Sequence, residues 1–304
     1  MLAILVVVFM LSVQRAHVLA VRAICPSNLR GMGQGMQIYA SENTDRFPGH
    51  YFEAETSDEA VAAGRHGVAW IGMMGSHESL KISEPTSPTR SPRASHPSRS
   101  LFVLMISADA TPGLFTCPSS GEAEDRLRNY GPDGRDAGDS TAMPGTDRFD
   151  FNGYSSLSYG YLLPFGASAT SRRMLDAGAP VAADKGPFFD AGGEGLAGTR
   201  TVVDKLSAAT IPPQWKRFDA QRIRALAIGE WKRLNSRNHE GEGQSVLYAD
   251  GHADFARTPL VGIGGDNIYT LGGPNEADGS PLGLTPAEAP LLGPRTQSDS
   301  YIVP

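Results

Sequence analysis

Four side chains near the end of the chain are of the types that bind transition metals. They are His239, Asp250, His252 and Asp254. Imidazole and carboxylate groups together form a reasonable ligand set for zinc or iron. Strong zinc sites use tighter spacing, such as two histidines four residues apart on one helix, and the sequence contains no such pair. We therefore expect these histidines to pack or to satisfy backbone groups. We expect the protein to use no metal ion, no other cofactor and no catalytic residue. The alternative is a metal site formed by His239, Asp250 and His252.

The segment that carries three of these residues also predicts a β-hairpin over residues 244–255. Asp250-Gly251 is typical of a two-residue type I′ turn, which needs positive φ at both central positions. In the register that this turn implies, directly opposed residues share a face of the sheet, and one face is apolar enough to be buried. The predicted buried face consists of Val246, Tyr248, Ala253 and Phe255.

Two cysteines, Cys25 and Cys117, are each followed by Pro-Ser. An even and sparse cysteine count is compatible with one disulfide in an oxidising compartment. Spacing along the chain does not show whether the two sulfur atoms meet. A disulfide and two separate thiols are therefore both open at this point.

Composition narrows the class of protein. The chain has 304 residues and a net charge of −6, which argues against nucleic acid as a partner because phosphate binding requires a basic surface. It contains 35 glycines and 22 prolines, more than an average globular protein of this length. We expect an ordered core with long loops.

The amino terminus contains a continuous apolar run over residues 2–13, followed by Gln14, Arg15 and His17. A spanning helix needs about 20 apolar residues, so a run of this length suits a signal-peptide core or part of a membrane span. A signal peptide normally begins with positive charge, which is missing here, and a buried core helix is the other alternative. We favour a membrane-anchoring helix over residues 1–24 whose beginning is absent or wrongly assigned.

The helix is predicted to resume after Cys25-Pro26, with Ser27 as its cap. Apolar side chains then recur every three or four residues and form one stripe. They are Leu29, Met32, Met36 and Tyr39. Asn43-Thr44-Asp45 predicts the end of this helix.

Three motifs follow one another in an order that resembles a known family. Cys25-Pro-Ser-Asn-Leu lies in the amino-terminal helix, Cys117-Pro-Ser lies in the centre, and Asp250-Gly-His lies in the hairpin. This order resembles bacterial type IV pilin-like proteins, the pseudopilins of type II secretion, in the branch with a Cys-x-Ser-Asn-Leu helix. The basic leader and the Phe-Thr-Leu-Ile-Glu segment with which such proteins begin do not occur in this sequence. The positions that match these motifs are Ser27, Asn28, Leu29, Asp250, Gly251 and His252. His239 also matches, because this branch often has a His-Gly-Gly segment before the hairpin.

The resemblance implies an α+β fold, with a long N-terminal helix, a small antiparallel β-sheet packed on its C-terminal half, and long irregular loops. The expected parts are the anchoring helix over residues 1–24, a pseudopilin-like globular domain over residues 25–270, and a disordered Gly/Pro-rich tail over residues 271–304. By resemblance alone, the acidic residues 122–125 and 133–139 could hold calcium, although solvated surface is the favoured interpretation.

The function that this resemblance implies is a non-enzymatic, structural component of a type II secretion or surface assembly. The expected location is the inner membrane, crossed once, with a periplasmic or extracellular globular domain. The expected partners are the membrane and other pilin-like subunits, contacted through the N-terminal helix, and not nucleic acid. Two alternatives stay open: a metal-dependent hydrolase that uses His239 and His252, and a cell-surface binding module.

Overall fold

A computed structural model describes residues 2–49, 98–125, 128–130, 136–141, 151, 156–162, 175–189, 209–273, 281–286, 288, 294, 296 and 298–304. Helix α1 (Leu2–Glu42) is continuous over 41 residues and contains Pro26 in its interior. The helix therefore does not restart after Pro26, although proline removes one backbone hydrogen bond there. Its end near Asn43 is as predicted: Thr44 and Asp45 have φ values of 56° and 59°, and the Asp45 amide donates to the Ala40 carbonyl at 2.9 Å.

The second half of α1 packs into the protein. Leu29, Met32 and Met36 of the predicted stripe are buried, and Tyr39 packs beside them. Gly33 permits a close approach to the sheet, because a Cβ atom there would lie 2.9 Å from Leu247 Cδ1. Glycine weakens an isolated helix by about 1 kcal/mol relative to alanine. At this position the absence of a side chain lets the helix backbone lie close to the strand that carries Leu247.

The remaining helices are short. Helix α2 (Ser98–Ile106) has nine residues and buries Leu101, Leu104 and Met105, in agreement with the apolar spacing in the sequence. Helix α3 (Ala220–Arg224) has five residues and is capped by the Asp219 side chain, which accepts from the Arg222 amide. The segment before Cys117, which β-propensity predicts as a short strand over residues 114–116, is instead a 3₁₀ turn, Pro112–Phe115.

Strands β1 (Arg128–Tyr130) and β2 (Asp136–Thr141) form an antiparallel pair of their own. The main sheet is antiparallel and has five strands. These are β3 (Tyr159–Leu162), β4 (Pro180–Asp184), β5 (Gln244–Tyr248), β6 (Ala253–Ala256) and β7 (Ile302–Val303). Their spatial order is β6-β5-β4-β3-β7. The centre of the sheet is therefore formed by β4, which no tight hairpin joins to either neighbour.

Each face of the main sheet carries a hydrophobic core. The first core combines the buried stripe of α1 with α2 and with Leu247 and Ala253 of the hairpin. The second core lies on the other face and combines Val246 and Ile302 with Trp231 of the 3₁₀ turn Ile228–Arg233. All five residues of β4 are buried, as expected for a strand that is covered on both sides.

The predicted architecture of a small sheet packed on the C-terminal half of a long helix is therefore wrong. The sheet has five strands, and α1 covers only one of its two faces. Apart from α1, the α-helices that the structure describes have nine and five residues. The sequence of β5 does not reveal the second core. A half-buried strand shows alternating apolar and polar residues, whereas both faces of β5 are buried.

The hairpin of β5 and β6 is confirmed, but its predicted register is wrong by one residue. Leu247 pairs with Ala253, and Val246 pairs with Asp254. Only Gly251 has positive φ, at 92°, whereas a type I′ turn also requires positive φ at Asp250. The loop thus contains three residues with glycine in the left-handed position. Because a shift of one residue moves side chains to the opposite face, Ala253 shares the first core with Leu247, whereas Val246 lies in the second core.

The end of the chain contributes to this sheet. Within residues 271–304, which the composition predicts to be disordered, Ile302 and Val303 form the edge strand β7 and pair with β3. Tyr301, Ile302 and Val303 are fully buried. The described part of this segment is therefore ordered, since its apolar side chains complete the second core.

No helix in the described part of the chain combines the length and the apolar character needed to cross a bilayer. The run over residues 2–13 spans about 18 Å at 1.5 Å per residue, whereas the hydrocarbon core is about 30 Å thick. This finding contradicts the predicted location as a single-pass protein of the inner membrane.

Candidate functional site

Four side chains with metal-binding or redox chemistry meet in the interior. The buried cluster consists of Cys25, Cys117, Asp184 and His239, and one ligand atom from each lies within 4.8 Å of those from the other three. Cys25 belongs to α1, Cys117 follows the 3₁₀ turn Pro112–Phe115, Asp184 ends β4, and His239 ends the 3₁₀ turn Arg237–His239. Four segments that are distant in the sequence therefore converge at one point.

Cys25 and Cys117 are joined by a disulfide, with their Cα atoms 5.6 Å apart. Two hydrogen bonds reinforce the same junction. Asn28 Nδ2 of α1 donates to the Thr116 carbonyl at 2.9 Å, and the Cys117 amide donates to Ser158 Oγ at 2.8 Å. The middle of the helix is thus attached to the segment that leads into the sheet.

Asp184 is fully buried and its carboxylate is held from several directions. Asn238 Nδ2 donates to Oδ1 at 3.0 Å, and the Ser245 amide donates to Oδ2 at 2.5 Å. His239 Nε2 lies 3.2 Å from the same Oδ2. A buried carboxylate needs such partners, since transfer of an unpaired charge out of water is very costly. Asp184 therefore connects β4 to β5 and to the turn that carries His239.

The His239 ring is positioned by its own turn and by its neighbours. Ser236 caps the turn, because its hydroxyl accepts from the Asn238 amide at 3.2 Å. Asn238 Nδ2 also donates to the Ser158 carbonyl at 2.7 Å. Cys117 Sγ lies 3.9 Å from His239 Nε2, and the edge of the Phe255 ring meets the imidazole at a centroid distance of 5.4 Å. The imidazole thus lies between the sulfur and the carboxylate, covered by an aromatic ring.

Two tyrosines show the electrostatic effect of this interior. Burial, and secondly the negative charge of Asp184, raise the pKa values of Tyr159 and Tyr269 far above the usual value. Tyr269 donates its hydroxyl to the Asp184 carbonyl at 2.8 Å. Beside them, Lys185 forms a buried ion pair with Glu122 and donates to the Leu157 carbonyl. The interior around Asp184 therefore favours neutral tyrosines and paired charges.

The structure separates the metal candidates that the sequence suggests. His252 Nδ1 lies 2.5 Å from Asp250 Oδ1, and both side chains are about half exposed, at 53% and 44%. Tyr248 stacks on the His252 ring, and Asp254 is exposed. Among the described residues, the metal-type group that contains His239 includes neither Asp250 nor His252. These two form a local pair at the tip of the hairpin.

The other motif positions have distinct environments. Leu29 is buried in the first core, Asn28 holds the junction with Thr116, and Ser27 is exposed. Of the predicted calcium segments, Glu122 forms an ion pair with Lys185, and residues 136–139 lie in β2. Residues 133–135 lie outside the described part of the chain.

Sequence reasoning does not identify Asp184 as a member of the site. One signal was present, because an acidic residue directly follows the apolar residues Val181-Ala182-Ala183. A charge at the end of a buried strand is unusual unless it is paired. The partner, however, is supplied by a turn distant in the sequence, and the sequence does not show that the two segments meet.

Ser119, His239 and Asp184 are the residue types of a hydrolase triad. Ser119 Oγ lies 3.5 Å from His239 Nδ1, which is longer than the approximately 2.6–3.2 Å expected between a nucleophile and its base. The other ring nitrogen faces both the carboxylate and the disulfide sulfur.

No protein-family model, curated protein or solved structure shows significant similarity to this chain. The resemblance to pilin-like proteins therefore stays a prediction that rests on the order of the motifs.

Proposed function

We propose that this chain is a non-enzymatic, pilin-like structural subunit that assembles with like subunits through the first part of α1. The observation that supports the proposal is the exposure of large apolar side chains at the start of this helix. The most exposed are Ile4 at 70%, Phe9 at 64%, Val8 at 61% and Met10 at 59%. A helix with this surface is stable in water only when other apolar surfaces cover it.

The distribution of these side chains indicates how many partners are needed. At 100° per residue, the exposed positions Ile4, Val6, Phe9 and Met10 point in directions spread around the helix axis. A single partner helix covers one stripe, whereas a helix that is apolar all round is buried among several neighbours. A bundle of like helices, as in a pilin-type assembly, satisfies this requirement.

The energies favour contact over the whole segment. Burial of one large aliphatic or aromatic side chain contributes about 1.5–3 kcal/mol. Association costs about 4–15 kcal/mol in lost freedom, and two or three contacts contribute only about 3–9 kcal/mol, so a stable assembly is favoured when most of the segment is covered. The rest of α1 is fixed to the hairpin by two hydrogen bonds. Arg30 donates to the Ala253 carbonyl at 2.5 Å, and Gln37 donates to the Ala249 carbonyl at 3.2 Å.

Sedimentation velocity of the full chain tests this proposal, with Phe9→Glu as the disrupting variant. We expect the unmodified chain to form assemblies whose size increases with concentration, and Phe9→Glu to shift them towards monomer. Ile228→Glu is the matched control, because Ile228 is a similarly exposed apolar residue, at 52%, outside α1. It should assemble like the unmodified chain.

Two results would overturn the proposal. One is a monomer at all concentrations, and the other is equal assembly of Phe9→Glu and Ile228→Glu. Flotation of monomers with phosphatidylcholine vesicles, lost in Phe9→Glu, would show that lipid covers this segment and would also count against assembly through helix contacts.

A further inference from the structure

The buried cluster has a second chemical state that the disulfide conceals. Its four side chains are those of a Cys₂-His-Asp metal site, and all four residues are buried. Structural zinc sites use four such ligands in a tetrahedral arrangement, most often with cysteine and histidine. In the disulfide form the two sulfur atoms are bonded to each other and carry no thiolate charge, so they do not bind metal in this way.

The spacing of the remaining ligand atoms fits a tetrahedron. With metal–ligand bonds of about 2.0–2.3 Å, the atoms at two corners lie about 3.3–3.8 Å apart. His239 Nε2 lies 3.2 Å from Asp184 Oδ2 and 3.9 Å from Cys117 Sγ. Two edges of the tetrahedron are thus already close to these lengths, and Cys25, which provides the second sulfur-bearing corner, requires only that the sulfur atoms separate after reduction.

We propose that the reduced chain binds one Zn²⁺ ion through Cys25, Cys117, Asp184 and His239, and that disulfide and metal are alternative occupants of the same cluster. Outer groups that orient metal ligands are also present. Asn238 Nδ2 holds Asp184 Oδ1 at 3.0 Å, and Ser119 Oγ lies 3.5 Å from His239 Nδ1. Both contacts use the other atom of each ligand, so that Asp184 Oδ2 and His239 Nε2 stay available to the metal.

The exchange between the two states balances. A dithiol reductant transfers two electrons and two protons to the disulfide, giving two thiols, and is itself oxidised to a disulfide. Binding of Zn²⁺ then releases the two thiol protons to solvent. Two thiolates, one carboxylate and Zn²⁺ sum to a charge of −1 with a neutral imidazole, which is also the charge of the metal-free dithiol beside its carboxylate. Exchange of the two thiol protons for the metal ion therefore adds no net charge to the interior.

The donor set also selects the kind of metal. Thiolate ligands favour zinc and related soft ions, whereas calcium and magnesium prefer sites made of oxygen ligands. We therefore expect zinc or Co²⁺ to bind and calcium not to compete. This site differs from the His239–Asp250–His252 set that the sequence suggests, since only His239 is common to both.

The test uses the full chain, reduced without oxygen and incubated with Zn²⁺ or Co²⁺ before desalting. We expect about one metal ion per reduced chain, a thiolate-to-cobalt absorption band with Co²⁺, and no retained metal in the disulfide form. His239→Ala should weaken zinc binding by more than about 100-fold, because loss of even an outer-shell partner costs 10–100-fold. The double variant Cys25→Ser/Cys117→Ser should retain no metal, whereas the control His252→Ala should retain one ion.

If the reduced or variant chain unfolds, circular dichroism of the unmodified reduced chain decides instead. Recovery of the fold on addition of one equivalent of Zn²⁺, together with protection of both thiols from alkylation, supports the site. Absence of metal uptake and of refolding in the reduced chain would overturn it. Equal uptake by the folded double cysteine variant would do so as well.

Discussion

Two histidine–aspartate pairs in this protein consist of the same residue types but differ in what surrounds them. His239 and Asp184 are buried and lie beside the disulfide, whereas His252 and Asp250 are two residues apart at the exposed tip of the hairpin. The exposed pair has the shorter separation, 2.5 Å against 3.2 Å. Short distance is therefore a poor guide to importance. Water screens an exposed pair, which contributes at most about 1 kcal/mol, whereas loss of one partner of a buried pair costs about 3–5 kcal/mol.

Removal of the buried carboxylate should have the largest effect. Asp184→Ala leaves the Ser245 amide, Asn238 and His239 without their common partner. We expect a loss of about 3–5 kcal/mol in the free energy of unfolding, measured by urea denaturation. Asp250→Ala is the matched control and should change this value by less than about 1 kcal/mol. Equal effects of the two substitutions would show that burial does not distinguish the pairs.

Reduction of the Cys25–Cys117 disulfide should come next. The bond closes a loop between residues 92 positions apart. Loop-closure entropy predicts a loss of up to about 4.7 kcal/mol, and measured losses are typically about 2–5 kcal/mol. We expect the free energy of unfolding, measured by urea denaturation in the presence of reductant and a metal chelator, to fall by this amount. An unchanged midpoint would mean that the contacts of Asn28 and Ser158 alone hold the junction.

As pH rises, the buried region should lose stability at a lower pH than the hairpin tip. The pKa values of the buried Tyr159, Tyr161, Tyr269 and Tyr301 are raised above the ordinary value of 10.0, chiefly by burial. Because these pKa values are higher in the folded state, their contribution is fully present below the unfolded-state pKa and is lost as pH rises above about 10. Each tyrosine can lose about 1.4 kcal/mol per pH unit in that range.

The measurement is thermal unfolding as a function of pH, with tyrosine ionisation followed by absorbance. We expect ionisation of these four side chains to coincide with unfolding. Tyrosinate absorbance that develops fully in a protein with unchanged circular dichroism would contradict their burial.

The smallest effect is expected at the hairpin tip. His252→Ala should change the free energy of unfolding by less than about 0.5 kcal/mol, since both members of its pair face solvent. The backbone amide of His252, and then its side chain, lower the pKa of Asp250 below 3.8. The contribution of Asp250 is therefore present above pH 3.8 and is lost as pH falls below it, but solvent screening keeps it small. A loss comparable to that of Asp184→Ala would refute this view of the pair.

Local patterns in the sequence predict several elements well. The apolar spacing of Leu29, Met32 and Met36 predicts the buried face of α1, and Asp250-Gly251 predicts the hairpin. These signals depend on residues close in the chain, and short-range geometry suffices to interpret them. The hairpin register is not accessible in the same way, because a two-residue loop and a three-residue loop both accommodate Asp-Gly and only core packing on both faces chooses between them.

The amino-acid sequence alone determined the buried stripe and the end of α1, the hairpin and the apolar segment over residues 2–13. Only the tertiary structure decided that β7 completes the sheet and that a disulfide, Asp184 and His239 meet. The physical reason is that burial and pairing of these polar groups depend on segments distant in the chain. Each segment alone carries an ordinary cysteine, aspartate or histidine, and its chemistry arises from the neighbours that folding provides.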